Sequence, residues 1–247
     1  MGFHPDVKDT PVGSNVRDQV GRFHRSQAWS VLVVFVVLAG IFLAMLARQF
    51  DQGQKHEKEL LLRHFTERVS YLENLLAVIT EHVDGMRLAA EADLLQTGAG
   101  QPLHQPLEFN DLTDVPNESR YSLDSFKPPL TREMIGNLTG DGSIYGRDQA
   151  FYRELHMALI LNPQFRIVAN SVKNAAWVYY TSRNRFLNIY PWVSSKDFRY
   201  SPELQDHEFF SLGLPQTNPD RKRFWTKVYM DEYGKGLMTT CAAPVYD

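Results

Sequence analysis

Half of the chain's thirty aromatic residues, including three of its four tryptophans, fall between Ala176 and Tyr246. Charged groups are interleaved with them: Arg183, Arg185, Arg221, Arg223 and Asp231 lie among Tyr179, Tyr180, Tyr190, Trp192, Trp225 and Tyr229. Apolar walls carrying a few placed charges are what a small-molecule pocket needs. An arginine can clamp a carboxylate, an aspartate can accept an ammonium, and ring faces can hold a cation. The same composition suits a plain core, because aromatics supply much of the buried area in one. The residue types leave both readings open.

Signatures of catalysis are sparse. The sequence has no G-x-S-x-G elbow, no H-E-x-x-H pair and no G-x-x-x-x-G-K-[ST] loop. Gly234-Lys235-Gly236 has no Ser or Thr after its lysine and reads as a hairpin turn. Asn137 to Asp148 echoes a calcium loop but lacks the acidic third position and the closing Glu, so a turn is the better reading. The eight histidines form no i, i+4 pair, and the single Cys241 excludes an intrachain disulfide and a cysteine-based zinc site. A net charge of -3 gives no electrostatic case for nucleic acid. No cofactor is called for.

The elements that must position these residues begin with a membrane signal. Ala28 to Ala47 is a run of twenty residues without a charge, about the length a helix needs to cross a bilayer core. It is longer than a signal-peptide core and ends without a clear small-x-small cleavage site, so a retained anchor is expected. The flanks carry Lys8, Arg17, Arg22 and Arg25 on one side and Arg48, Lys55, Lys58 and Arg63 on the other, which leaves orientation undecided. Residues 1–27 read as a short polar tail. Beyond the span, Leu62, Phe65, Val69, Leu72, Leu76, Ile79, Val83, Met86 and Ala90 alternate three and four apart, an a/d seam of four heptads. One helix from about Phe50 to Gln96 is expected, some 70 Å long at 1.5 Å per residue, with Gly98 and Gly100 as its stop. Its seam must pack on the body of the protein or on a second copy.

The remainder reads as α+β. Gln101 to Pro129 looks irregular, and Arg147 to Leu161 has a helical apolar face. Ala176 to Ser182 and Phe186 to Val193 form a hairpin signature, Ser201 to Leu212 a short capped helix, and Trp225 to Asp231 with Leu237 to Tyr246 a second hairpin. A long helix followed by a helix and paired strands points to an antiparallel sheet.

WVYYTSRNRFLNIYPW, followed by RKRFWTKVYMDEYGKGLMTTCAAPVYD, resembles the membrane-distal module of double Cache domains, the PAS-like extracytoplasmic sensors of bacterial receptors. While the heptad seam is the ground for expecting a homodimer through residues 62–90, the resemblance implies a PAS-like (Cache) antiparallel sheet with flanking helices, incomplete at the C-terminus. It implies residues 1–27 as cytoplasmic tail, 28–47 as transmembrane helix, 48–96 as periplasmic helix and 97–247 as the sensor module, in the bacterial inner membrane. Amino-acid-binding members use an Arg-x-Trp-Tyr element and a following Tyr-x-Asp. Arg223-Phe224-Trp225 and Tyr229-Met230-Asp231 stand at matching places, implying Arg223 for a ligand carboxylate, Trp225 as a wall, and Tyr229 with Asp231 near an amino group. Asn218 replaces an earlier Tyr and Thr226 the second Tyr of the element, so the ligand class stays open among amino acid, amine and carboxylate. Tyr180 and Tyr190 complete the candidate ligand-binding set. The implied output is a diguanylate cyclase, with histidine kinase and chemoreceptor as alternatives; an envelope enzyme using Asp231 and a structural dimerisation protein are the rival classes.

Overall fold

The computed structural model describes residues 14–98 and 106–246, with side chains from Trp29 onward. The start of the expected tail, residues 1–13, and the stop signal at Gly100 lie outside the described residues. A single helix, α1 (Ser14–Gly98), replaces the expected tail, span and separate helix from Phe50. No proline interrupts residues 14–98, and an isolated glycine such as Gly40 or Gly53 costs a helix only about 1 kcal/mol.

The chain divides into two compact units, Met1–Ser70 and Tyr71–Asp247. In the first, α1 is long and apolar enough to cross a membrane by length and composition. Its large side chains from Trp29 to Leu46 are all exposed, and so are Leu62, Phe65 and Val69 further along.

The second unit is mixed α+β around a five-stranded antiparallel sheet of order β1-β2-β3-β5-β4. The strands are β1 (Thr113–Asp114), β2 (Arg120–Ser122), β3 (Asn137–Asp141), β4 (Val178–Thr181) and β5 (Phe186–Tyr190). Two of these, β1 and β2, fall where the sequence reads as irregular, and β3 falls where it reads as a turn. NLTGD forms a central strand because its polar groups find fixed partners. The Asn137 amide donates to Asp124 Oδ1 at 2.9 Å and to the Val193 carbonyl at 2.7 Å, and Thr139 Oγ1 accepts the Tyr200 N–H at 2.7 Å. Gly140 is required here, since a Cβ would run into the Tyr121 ring and meet the Phe186 Cβ at 2.8 Å.

Helices α2 (Gln149–Ile160) and α3 (Asn162–Ser171) cover one face of the sheet. Asp148 caps α2 by accepting the Phe151 N–H, and Pro163 opens α3 where its missing N–H costs nothing. Leu75, Ile79, Met86, Ala90 and Leu94 of α1 pack on Met157, Phe165, Val178 and Tyr190. The upper part of the heptad seam is thus spent within the chain, whereas Leu72 and Leu76 stay exposed.

The opposite face of β4 and β5 is covered by the chain from Phe198 to Phe209 and by the C-terminal strands. The expected helix over 201–212 splits into a single turn at Pro202–Gln205 and α4 (Glu208–Ser211), with no side-chain cap at Ser201. The expected second hairpin forms, with each of its arms broken into two short strands. Strand β6 (Phe224–Trp225) pairs with β9 (Cys241–Ala242), and β7 (Tyr229–Met230) pairs with β8 (Leu237–Met238). Between the ladders, the Thr226 N–H donates to the Thr240 carbonyl at 3.0 Å, and two hydroxyl bonds supplement this pairing: Thr239 Oγ1 donates to the Thr226 carbonyl and Thr226 Oγ1 accepts the Thr240 N–H.

Candidate functional site

Strand alternation decides what the sheet offers. Side chains of Trp177, Tyr179 and Thr181 leave one face of β4 together with Leu187 and Ile189 from β5. Val178, Tyr180, Phe186 and Tyr190 leave the other face, toward the helices. The first set floors a hollow with about 470 Å³ of empty space, counting the part open to solvent. Its sides come from Phe198, His207 and Phe209, and its cover from β7, β8 and the turn between them, through Tyr229, Asp231, Glu232, Tyr233 and Met238.

Two aromatic groups line it. In one, Tyr179 meets Phe209 edge-on at 5.5 Å, Phe209 lies 6.3 Å from Tyr229, and His207 stacks on Phe209 at 5.1 Å. The Thr240 hydroxyl joins the Tyr229 hydroxyl at 2.7 Å and the Tyr179 hydroxyl at 3.3 Å. In the other group, Phe198 lies 5.9 Å from Trp177 and 3.8 Å from Tyr233. Burial pushes the Tyr179 phenol above its ordinary pKa, and neighbouring Tyr229 adds to this, so it stays a neutral hydrogen-bonding group. The Tyr233 phenol is raised as well, by burial and then by Glu232.

Asp231 is 8% exposed, and its carboxylate ends the hairpin turn by accepting the Lys235 backbone N–H on Oδ2 at 2.9 Å. Its other oxygen, Oδ1, takes no hydrogen bond from the described residues. Two wall atoms, Trp177 Nε1 and Thr181 Oγ1, are buried without a partner among the described residues.

No family model, curated protein or solved structure matches the chain.

Of the six candidate residues, the structure brings Tyr229 and Asp231 together in the wall of the hollow. Tyr180 lies on the far face of β4, where its hydroxyl donates to Glu154 Oε1 at 2.7 Å. Tyr190 is buried on that same face and donates to the Glu133 carbonyl at 3.1 Å. Trp225 is half-buried in the β6–β9 ladder, opposite Cys241, and does not line the hollow. Arg223 reaches α1 instead, where its guanidinium pairs with Asp84. The hollow contains residues that sequence reasoning passed over: Trp177, Phe198, His207, Phe209 and Tyr233. Phe198 and Phe209 carry no local signal, because a long connection brings them to the sheet.

Proposed function

We propose that this chain is the extracytoplasmic small-molecule sensing part of a membrane-anchored receptor. The observation that carries the reading is the aromatic hollow on the sheet face opposite the helices, with Tyr229 and Asp231 in its wall. The apolar stretch of α1 supports an anchor, and the residues resembling double Cache sensors supply the periplasmic orientation and the PAS-like description of the sheet. The output proposed from that resemblance is a diguanylate cyclase, ahead of a histidine kinase or a chemoreceptor. A homodimer forms through the exposed part of the heptad seam, Leu62 to Leu76, because the positions from Ile79 onward are already packed within the chain. A ligand acts by favouring one of two arrangements of that dimer, to the extent of its difference in affinity between them.

The test is thermal unfolding of the detergent-solubilised chain against a library of small anionic, zwitterionic, cationic and neutral metabolites. A ligand at a hundred times its dissociation constant adds about 2.7 kcal/mol, or a rise in Tm of roughly 5–10 °C for a unit of this size. Asp231→Asn keeps an acceptor for the Lys235 N–H while removing the charge, so it should lose the ligand shift and keep its unliganded Tm. Silence across the whole library refutes the sensing reading, and chemical turnover of a hit assigns the chain to an enzyme. Lys196→Cys, at an exposed position, should react with an impermeant maleimide from the periplasmic side; protection there refutes the orientation.

A further inference from the structure

The turn joining β7 to β8 crosses the mouth of the hollow and is tied down by its side chains. Tyr233 rests on Phe198, Glu232 lies 3.6 Å from His207, and the Lys235 ammonium sits 4.8 Å from the centre of the Trp177 ring. Gly234 and Gly236 take φ values of +83° and +92°, which a glycine adopts without strain and which turn the chain back at this point. Lys235 is itself exposed, and no carboxylate pairs with its ammonium among the described residues. Its one described partner is the ring face that also borders the hollow.

The surroundings suit a cation. Phe198 lies between two further rings, in contact with Trp177 on one side and Tyr233 on the other. Asp231 and Glu232 supply negative charge among the lining residues. No arginine lines the hollow. A cation over an indole face within about 6 Å of its centre is attracted by the ring's quadrupole.

Resting on the sensing reading above, we infer that the Trp177 ring face, beside Phe198 and Tyr233, is a cation subsite at the edge of the hollow, occupied in this structure by the Lys235 ammonium. Lys235 is the site's internal competitor: an organic ammonium enters by displacing it and frees the turn to swing. The geometry makes displacement easy, since a single exposed side chain must leave and water solvates it at once. Specificity follows from the same exchange. A neutral body of equal shape gains no ring–cation attraction and cannot replace what Lys235 loses.

Choline and its uncharged carbon isostere 3,3-dimethylbutan-1-ol are the probes, titrated by tryptophan fluorescence into the whole chain in a maltoside detergent. Choline should bind at least ten-fold tighter than the isostere. Lys235→Met should tighten choline about two- to five-fold and leave the isostere unchanged, while Lys196→Met, which removes an equal charge at another exposed position, should change neither. Tyr233→Leu should weaken choline more than it weakens the isostere. Equal binding of choline and isostere overturns the inference, as does Lys235→Met with unaltered choline affinity or the absence of choline binding to both proteins. If an anionic or neutral metabolite from the library binds while choline does not, the cation subsite falls and the sensing reading stands.

Discussion

Arg223 and Asp84 should behave as one structural tie, and a double-mutant cycle measures it. Their side chains are 45% and 32% exposed, between a surface pair and a buried one. Fully exposed pairs contribute about 0.2–1 kcal/mol, so the partial burial here places the coupling near the top of that range, about 1 kcal/mol. Arg223→Ala and Asp84→Ala should each lower Tm by roughly 2–4 °C, and the double variant should fall by about as much as either alone. Raising salt to 1 M should shrink the wild-type advantage, since screening acts on a half-exposed pair. The same three variants separate two roles for Arg223. As a tie, it and Asp84 affect ligand binding equally and weakly through the position of β6. As a ligand clamp, it does not. Additive losses in Tm, or Arg223→Ala erasing the ligand shift while Asp84→Ala preserves it, would refute the reasoning.

Two further predictions follow from other groups. Burial raises the Asp124 pKa, but the backbone N–H and hydroxyl of Ser195, the Asn137 amide and the Ser122 hydroxyl outweigh it, so the carboxyl titrates below its ordinary value. Its stabilisation is therefore complete above the unfolded carboxylate pKa, near 4, and is lost as pH falls through the lower folded value. Urea melts between about pH 4 and pH 2 should show a shallower loss of stability for Asp124→Asn than for wild type, and parallel curves would contradict the assignment. Burial pushes the Cys241 thiol up to about 11. Against a free thiol near 8.5, this leaves roughly a hundredth of the thiolate at pH 8, so iodoacetamide should alkylate it about two orders of magnitude more slowly; labelling at the free-thiol rate would show that the β6–β9 ladder opens readily.

The β4–β5 hairpin was legible because WVYYTS and FLNIYPW are β-prone runs around a polar link, and the structure joins them at Arg183 to Arg185. Which of two adjacent tyrosines faces the hollow was not. Both faces of β4 are covered, so Tyr179 and Tyr180 look alike in sequence, and a shift of one residue changes the face. NLTGD was hidden for a different reason. Asn, Thr, Gly and Asp favour turns when their side chains bond locally, but here Asp124, Val193 and Tyr200 bond them from far along the chain. Tyr229 and Asp231 reach the wall together because the whole run from Tyr229 to Tyr233 borders the hollow. Arg223 lies outside that run, and β6 and β7 belong to separate ladders.

The hollow's floor and its cover are built from different kinds of structure. Trp177 and Tyr179 belong to a strand or its approach, within a five-stranded sheet, whereas Asp231, Tyr233 and Lys235 ride on a two-rung hairpin. Exchanging those six turn residues, 231–236, would leave every rung of the large sheet intact. Mutation can thus retune what the mouth admits without endangering the scaffold beneath, and recognition in this chain is free to diversify faster than its fold.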